Sequence, residues 1–328
     1  MLYRLFNSNH LLSVILVLLT ATALWLRLFL GEVVFFSHLD NPSMPLWDFF
    51  TGAWSGKTVF TAAFTTLVLA VLSGLLLNQL VLRYSLLGKQ SPLVLLAFLL
   101  LASGFLSVQK LNPVWPFVLF LVLALRVLFG GVQRKNPALV CFDAGFLLGL
   151  GGLFYAKGLF FFPFLLIAAG ILRQASFRSF VALLLGVLLP FILSGAWYLF
   201  HDQGQWFYEL LLENLMANPG QYKHELFSRI YLLVLVLGIA VAMLASARRT
   251  AQQKIVVRRY YRVLFWLLLL CTGAVLSPFF SVELLPIAAV SASVLVANGL
   301  DLFRKPFWQE LALLLLVGLS AAAQLLSL

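Results

Sequence analysis

Charged side chains are scarce in this sequence and acidic ones scarcer: of 328 residues, 11 are Asp or Glu and 22 are Lys or Arg, a charged fraction of 10%. A water-soluble domain carries about 25% charged residues, so a soluble fold is excluded. Cysteine is nearly absent. Cys141 and Cys271 both lie inside apolar runs, which excludes a disulfide scaffold and a Cys-rich metal centre. HExxH, GxSxG and paired CxxC motifs are missing, and no GK[ST] loop follows a strand, so a nucleotide site is unsupported.

What is abundant is apolar surface: 63% of residues are hydrophobic and the mean hydropathy is +1.04. A bilayer is crossed by about 20 apolar residues in a helix, and about eleven stretches qualify, leaving no room for a second, soluble domain. They run approximately 11–30, 59–81, 92–107, 113–129, 138–154, 158–171, 180–200, 230–247, 263–276, 284–300 and 311–326. The expectation is an all-α polytopic bundle, one integral membrane domain over residues 1–328. The first run lacks a small-residue cleavage site and reads as a retained span. Only Tyr155, Ala156 and Lys157 separate the fifth and sixth runs, which demands a tight helical hairpin or a re-entrant pair.

Lys and Arg near span ends stay on the cytoplasmic side. With the N-terminus inside, that side collects Arg83 and Lys89, Arg134 and Lys135, Arg173 and Arg178, the cluster from Arg248 to Arg262, and Arg304 with Lys305. The outer side collects most acids, among them Glu32, Asp40, Asp48, Asp202, Glu209 and Glu213. The expected topology is therefore N-in, C-out. The net charge of +11 is spread over short loops beside anionic headgroups, so nucleic acid is not an expected partner. The Arg248–Arg262 cluster reads as an orientation signal, with a soluble partner as the minor alternative.

Two expected outer loops exceed the roughly 2–8 residues a helix connection needs: 31–58 and 201–229. In the first, Ser43 and Pro45 mark a helix start, and Leu46, Phe49, Phe50 and Trp54 share one face. In the second, Trp206, Tyr208, Leu210, Leu211 and Leu215 sit among Glu209, Glu213 and Asn214. Both read as interfacial helices, able to roof a cavity. The loops supply candidate general bases: Asp40, between His38 and an Asn41-Pro42 turn, with Asp48 as a weaker candidate on the polar face of its helix. His201, Asp202 and Glu209 are polar candidates in the second loop. Each also reads as an ordinary solvated loop charge. Lys157, the sole charge in its hairpin, is placed to meet a lipid phosphate or to snorkel. Asp143 suits an ion pair with Arg134 or Lys135 as well as a mechanistic role. Gly145, Gly149, Gly151 and Gly152 are expected to admit a neighbouring helix closely. Asn78 and Gln79 read as interhelical hydrogen-bonders.

The stretch Asp143-Ala-Gly-Phe-Leu-Leu-Gly-Leu-Gly-Gly-Leu-Phe-Tyr-Ala-Lys157-Gly, followed by Pro163, Arg173 to Arg178 and a span with Gly186 and Pro190, resembles the middle of the GT-C membrane glycosyltransferases. The resemblance covers about residues 1–200. It implies a first span, an outer loop with a catalytic carboxylate, best matched by Asp40, and Lys157 near a polyprenyl-phosphate carrier. The paired Asp-Glu motif and the large outer domain of many members are absent here. The Met-Leu-Tyr-Arg-Leu-Phe-Asn-Ser-Asn start and Phe-Asp-Ala-Gly-Phe core also resemble a family of Bacteroidota integral membrane proteins without an assigned activity, which implies a bacterial inner membrane. The functional expectation is a transferase using a polyprenyl-phosphate-linked sugar at the outer face, with an optional divalent cation. The alternatives are a non-catalytic scaffold of an envelope assembly or export machine with protein partners, and a transporter or lipid flippase.

Overall fold

A computed structural model describes residues 6, 11–30, 43–52, 59–88, 91–132, 136–215, 240, 253–275, 284–303 and 306–326. Every regular element among them is helical: α1 (Leu11–Phe29), α2 (Pro45–Gly52), α3 (Val59–Arg83), α4 (Leu93–Ala102), α5 (Leu106–Gln109), α6 (Val114–Gly131), α7 (Pro137–Gly152), a 3₁₀ segment (Ala156–Phe161), α8 (Phe162–Ile171), α9 (Phe177–Phe200), α10 (Gly204–Leu215), α11 (Ile255–Val275), α12 (Leu285–Leu302) and α13 (Pro306–Leu326). Five of these, α1, α3, α6, α9 and α13, are long and apolar enough to cross a membrane. Their outer faces carry Leu12, Ile15 and Leu19 on α1, Ile192 and Leu193 on α9, and Leu314 and Leu315 on α13, all exposed. Water would not tolerate such faces and lipid does. This is a membrane protein. The expected eighth run, 230–247, lies outside the described residues apart from residue 240.

The chain divides into two compact units, one of Met1–Phe35, Thr58–Asn112 and Tyr222–Leu328, the other of Phe36–Lys57 and Pro113–Gln221. In the first, α4 is apolar on every side, and all ten of its residues are buried. A helix with no polar face must be enclosed by protein or lipid; here α3 and α12 enclose it. At about 1.5 Å per residue α4 spans only about 15 Å, half of the roughly 30 Å hydrocarbon core. The expected third run therefore breaks at Ser103. The break is sewn up by side chains: the Ser103 carbonyl accepts from Gln109 Nε2 at 3.1 Å and Gln324 Nε2 at 3.0 Å. Arg27, in the last turn of α1, donates from Nη1 to the Gln324 carbonyl at 2.8 Å. Trp25 Nε1 donates to Thr66 Oγ1 at 3.3 Å, joining α1 to α3. Asn78 makes no interhelical bond through Oδ1, which is buried without a hydrogen-bond partner, and Gln79 is exposed.

The second unit is built on α7 crossing α9. Cβ atoms on Gly145 and Gly186 would run into the backbone carbonyls of Leu183 and Phe142, and one on Gly149 would stand 2.5 Å from the Val187 carbonyl oxygen. Only glycine lets the two backbones meet this way, the small-xxx-small contact expected from Gly145 and Gly149. Gly151 faces Phe117 and Phe120 on α6, and Gly152 faces Leu159 and Phe191. With its glycines turned both ways, α7 is the central strut of this unit.

Candidate functional site

The candidate residues gather where α7 ends. Leu153 and Phe154 turn, Tyr155 is extended, and the 3₁₀ segment starts at Ala156, which realises the tight hairpin. Lys157 sits in that segment at 4% exposure, between the buried Ala156 and Gly158. Phe117 holds the segment from below: its ring lies 5.8 Å from Tyr155 and 6.0 Å from Phe161, and Gly158 is packed against it so closely that a Cβ would collide with the ring. A snorkelling lysine would be exposed at its head. Burial of an ammonium in a fold demands polar company, so Lys157 belongs to the interior of the hairpin.

The two short helices α2 and α10 converge on this hairpin. The start of α2 is set by Pro45 and by Ser43, whose hydroxyl donates to Asp48 Oδ1. The Leu46 amide donates to the Leu153 carbonyl at 3.3 Å, and Phe50 meets Phe154 edge-on at 6.3 Å with Trp47 stacked on Phe50 at 5.8 Å. The docked face is thus Leu46 and Phe50; Phe49, expected beside them, is 79% exposed, while Trp54 lies outside the described residues. From the other side α10 rests on the 3₁₀ segment and buries Phe207, Leu210 and Asn214. Phe207 lies parallel to Tyr198 at 5.2 Å, and Trp206 is 5.4 Å from the same ring. Tyr198 is also near enough to Asp48 to feel its charge. Sequence reasoning passed over Tyr198 because an aromatic at a span end is ordinary there.

The remaining candidates are placed as follows. Asp40 lies outside the described residues. Asp48 is exposed on α2. His201 caps α9; its Nδ1 donates to the Trp197 carbonyl at 2.8 Å, with the rings 4.6 Å apart. Asp202 adopts φ 57°, and its amide bonds Leu199 O at 3.1 Å while that of Gln203 bonds Tyr198 O at 2.9 Å. That pair is a Schellman stop, so Asp202 is explained by turning the chain. Glu209 is exposed and accepts from Gln205 Nε2 at 3.1 Å. Asp143 is half-buried in α7, and Arg134 and Lys135 lie outside the described residues. Among the described residues there is no group of three or more His, Cys, Asp or Glu that could hold a metal ion.

Comparison with known proteins adds one finding. A model described as a family of unknown function (DUF6427) matches residues 47–321. The chain belongs to this family. The matched stretch takes in α2, the hairpin and α10, and begins after Asp40. No curated protein and no solved structure matches the chain.

Proposed function

We propose that this DUF6427 chain is a multi-pass protein of a bacterial inner membrane, with about eleven spans in the N-in, C-out sense, that handles a lipid-phosphate donor at the outer face. The activity we assign is transfer of a sugar from polyprenyl phosphate. One observation carries the reading: α2 and α10, from the two long loops, close on a hairpin whose buried side chains include a lysine. A buried cation beside amphipathic, aromatic helices suits a lipid phosphate, because acyl chains can lie along the helices while the phosphate meets the charge.

The chemistry follows from those groups. An outer-loop carboxylate takes the proton from an acceptor hydroxyl as the acceptor oxygen bonds to the sugar's anomeric carbon. The bond from that carbon to the phosphate oxygen breaks, and polyprenyl phosphate leaves with the electron pair, its charge met by the Lys157 ammonium. Of the described acids on the two helices docked at the hairpin, Asp48 lies on α2 and Glu209 and Glu213 on α10; Asp48, whose charge reaches Tyr198, is the one we assign, with Asp40 as the other candidate. No step is routed through a metal.

The test is binding of polyprenyl phosphate to the reconstituted protein, followed by transfer from a radiolabelled polyprenyl-phosphate sugar. Lys157→Gln is expected to weaken binding and Asp48→Asn to lower turnover with binding kept. If the wild type binds polyprenyl phosphate no better than the matching prenol, the reading fails. A second reading, a non-catalytic scaffold, is favoured by the exposure of Asp48, Asp202, Glu209 and Glu213; phosphate-dependent binding without turnover, unaffected by Asp48→Asn or Asp40→Asn, would select it.

A further inference from the structure

The start of α11, in the other unit, carries positive charge that no acid among the described residues answers. Lys254, Arg258 and Arg262 recur every four residues and are all exposed, so they form one stripe down the helix. The first turn of α11 contains no acidic residue. A helix N-terminus carries a partial positive charge of its own, which disfavours cations there. Among the described residues no acid is ion-paired with any of the three.

The same face changes character below the stripe. One helical turn on come the half-buried Phe265 and Trp266, then Leu269 at 44% exposure and Gly273, beside which there is open space. The polar group on this lower part, Thr272, satisfies itself by donating to the Leu269 carbonyl at 2.8 Å. Positions beside and behind the stripe anchor the helix. Tyr261 donates from its hydroxyl to the Leu86 carbonyl at 2.7 Å, and Tyr260 packs on Tyr84 at 5.1 Å. Those contacts fix the end of α3 against α11 and bring a fourth cation, the exposed Arg83, whose guanidinium stands 6.0 Å from the Tyr84 ring.

We infer that this face of α11, with Arg83, is a binding site for an anionic phospholipid, its phosphate on Lys254, Arg258 and Arg262 and its acyl chain along Trp266 and Leu269. A soluble acidic partner would match the basic half and leave the apolar half uncovered. A zwitterionic lipid would match the apolar half and leave the charge unanswered. The anionic lipid matches both, and Gly273 leaves room for its chain. This site is independent of the hairpin and its chemistry.

The test is the full chain in a neutral detergent, doped with phosphatidylglycerol or with phosphatidylcholine of the same chains, read by thermal melting and by native mass spectrometry of retained lipid. Phosphatidylglycerol is expected to raise Tm above phosphatidylcholine. The triple variant K254Q/R258Q/R262Q is expected to lose that increment and to bind phosphatidylglycerol on the order of 100-fold more weakly, from a contribution of about fivefold per basic residue. R178Q, which removes an exposed arginine from the other unit, keeps the increment. K254R/R258K/R262K retains the charges and keeps most of it. The inference falls if the triple variant retains the full increment, if phosphatidylcholine raises Tm equally, if glycerol phosphate alone reproduces the shift, or if R178Q abolishes it.

Discussion

At three places the backbone takes a conformation L side chains resist: Ser85 at φ 50°, Arg173 at φ 61° and Asp202 at φ 57°. All three follow a helix and carry the same bond pair. Ser85 and Leu86 bond Leu82 O and Val81 O at 3.2 and 3.0 Å, and Arg173 and Gln174 bond Gly170 O and Ala169 O at 3.1 and 2.8 Å, matching Asp202 and Gln203. A left-handed L residue costs about 1–2 kcal/mol, part of which glycine returns as unfolded-chain entropy. Arg173→Gly should therefore stabilise the protein by about 0.5–1 kcal/mol, seen as a small rise in Tm. Asp202→Gly should leave any lipid binding and turnover unchanged; a large loss would return Asp202 to the chemistry. Lys110, in the link between α5 and α6, gives the pH-dependent case. Burial lowers its pKa from 10.5, so the folded chain holds that proton less tightly than the unfolded one. Its burial penalty is greatest where both states are charged and is relieved as pH rises through the folded value toward 10.5. Relative to Lys110→Gln, the wild type should gain stability between neutral pH and about 10, measured by melting the two side by side.

Among the elements, the α7–α9 crossing is the most exacting. Gly145 and Gly149 are recognisable in sequence as small residues suited to close packing, and the crossing shows them so used, with Gly186 meeting them from α9. Their partner does not follow from sequence: which helix comes close depends on which backbone carbonyls lie opposite, and that is a property of the packed pair. Gly149→Ala should cost about 1–3 kcal/mol as an overpacked contact, and Gly149→Leu more, while Gly170→Ala, with open space around it, should be neutral or stabilising. Melting of the three variants in one detergent checks this. For α4 the lesson is the reverse. Its apolar run reads as a span, yet the helix stops at Ser103 because Gln109 and Gln324 meet the carbonyl there. A helix can end among buried residues only where its freed backbone groups find partners, and the two glutamines come from positions far apart in the chain.

For the molecule as a whole, the orientation of the chain is the testable property. Both native cysteines are buried, so introduced ones can be labelled over a low background. With the N-terminus inside, Glu209→Cys should react with an impermeant maleimide added to intact cells, and Arg178→Cys only after the membrane is opened. The opposite pattern would invert the topology and move the hairpin to the cytoplasmic side, ending the outer-face transferase reading.

Composition alone determined the class of protein: with charge at 10% and hydrophobic residues at 63%, burial in lipid is the environment that removes so much apolar surface from water. Local pattern determined the ends of many helices, the hairpin around Lys157, the start of α2 at Pro45 and the glycines of α7, because capping, turn chemistry and side-chain size act over a few residues. Only the tertiary structure decided that Lys157 is buried, that Leu46 and Phe50 dock while Phe49 does not, that Tyr198 stacks on Phe207, and that the α11 cations share a face with exposed apolar residues. Those outcomes depend on which surfaces meet across long stretches of chain, and a sequence of nearly uniform hydrophobicity carries little periodic signal for choosing among faces that lipid and protein interior satisfy almost equally.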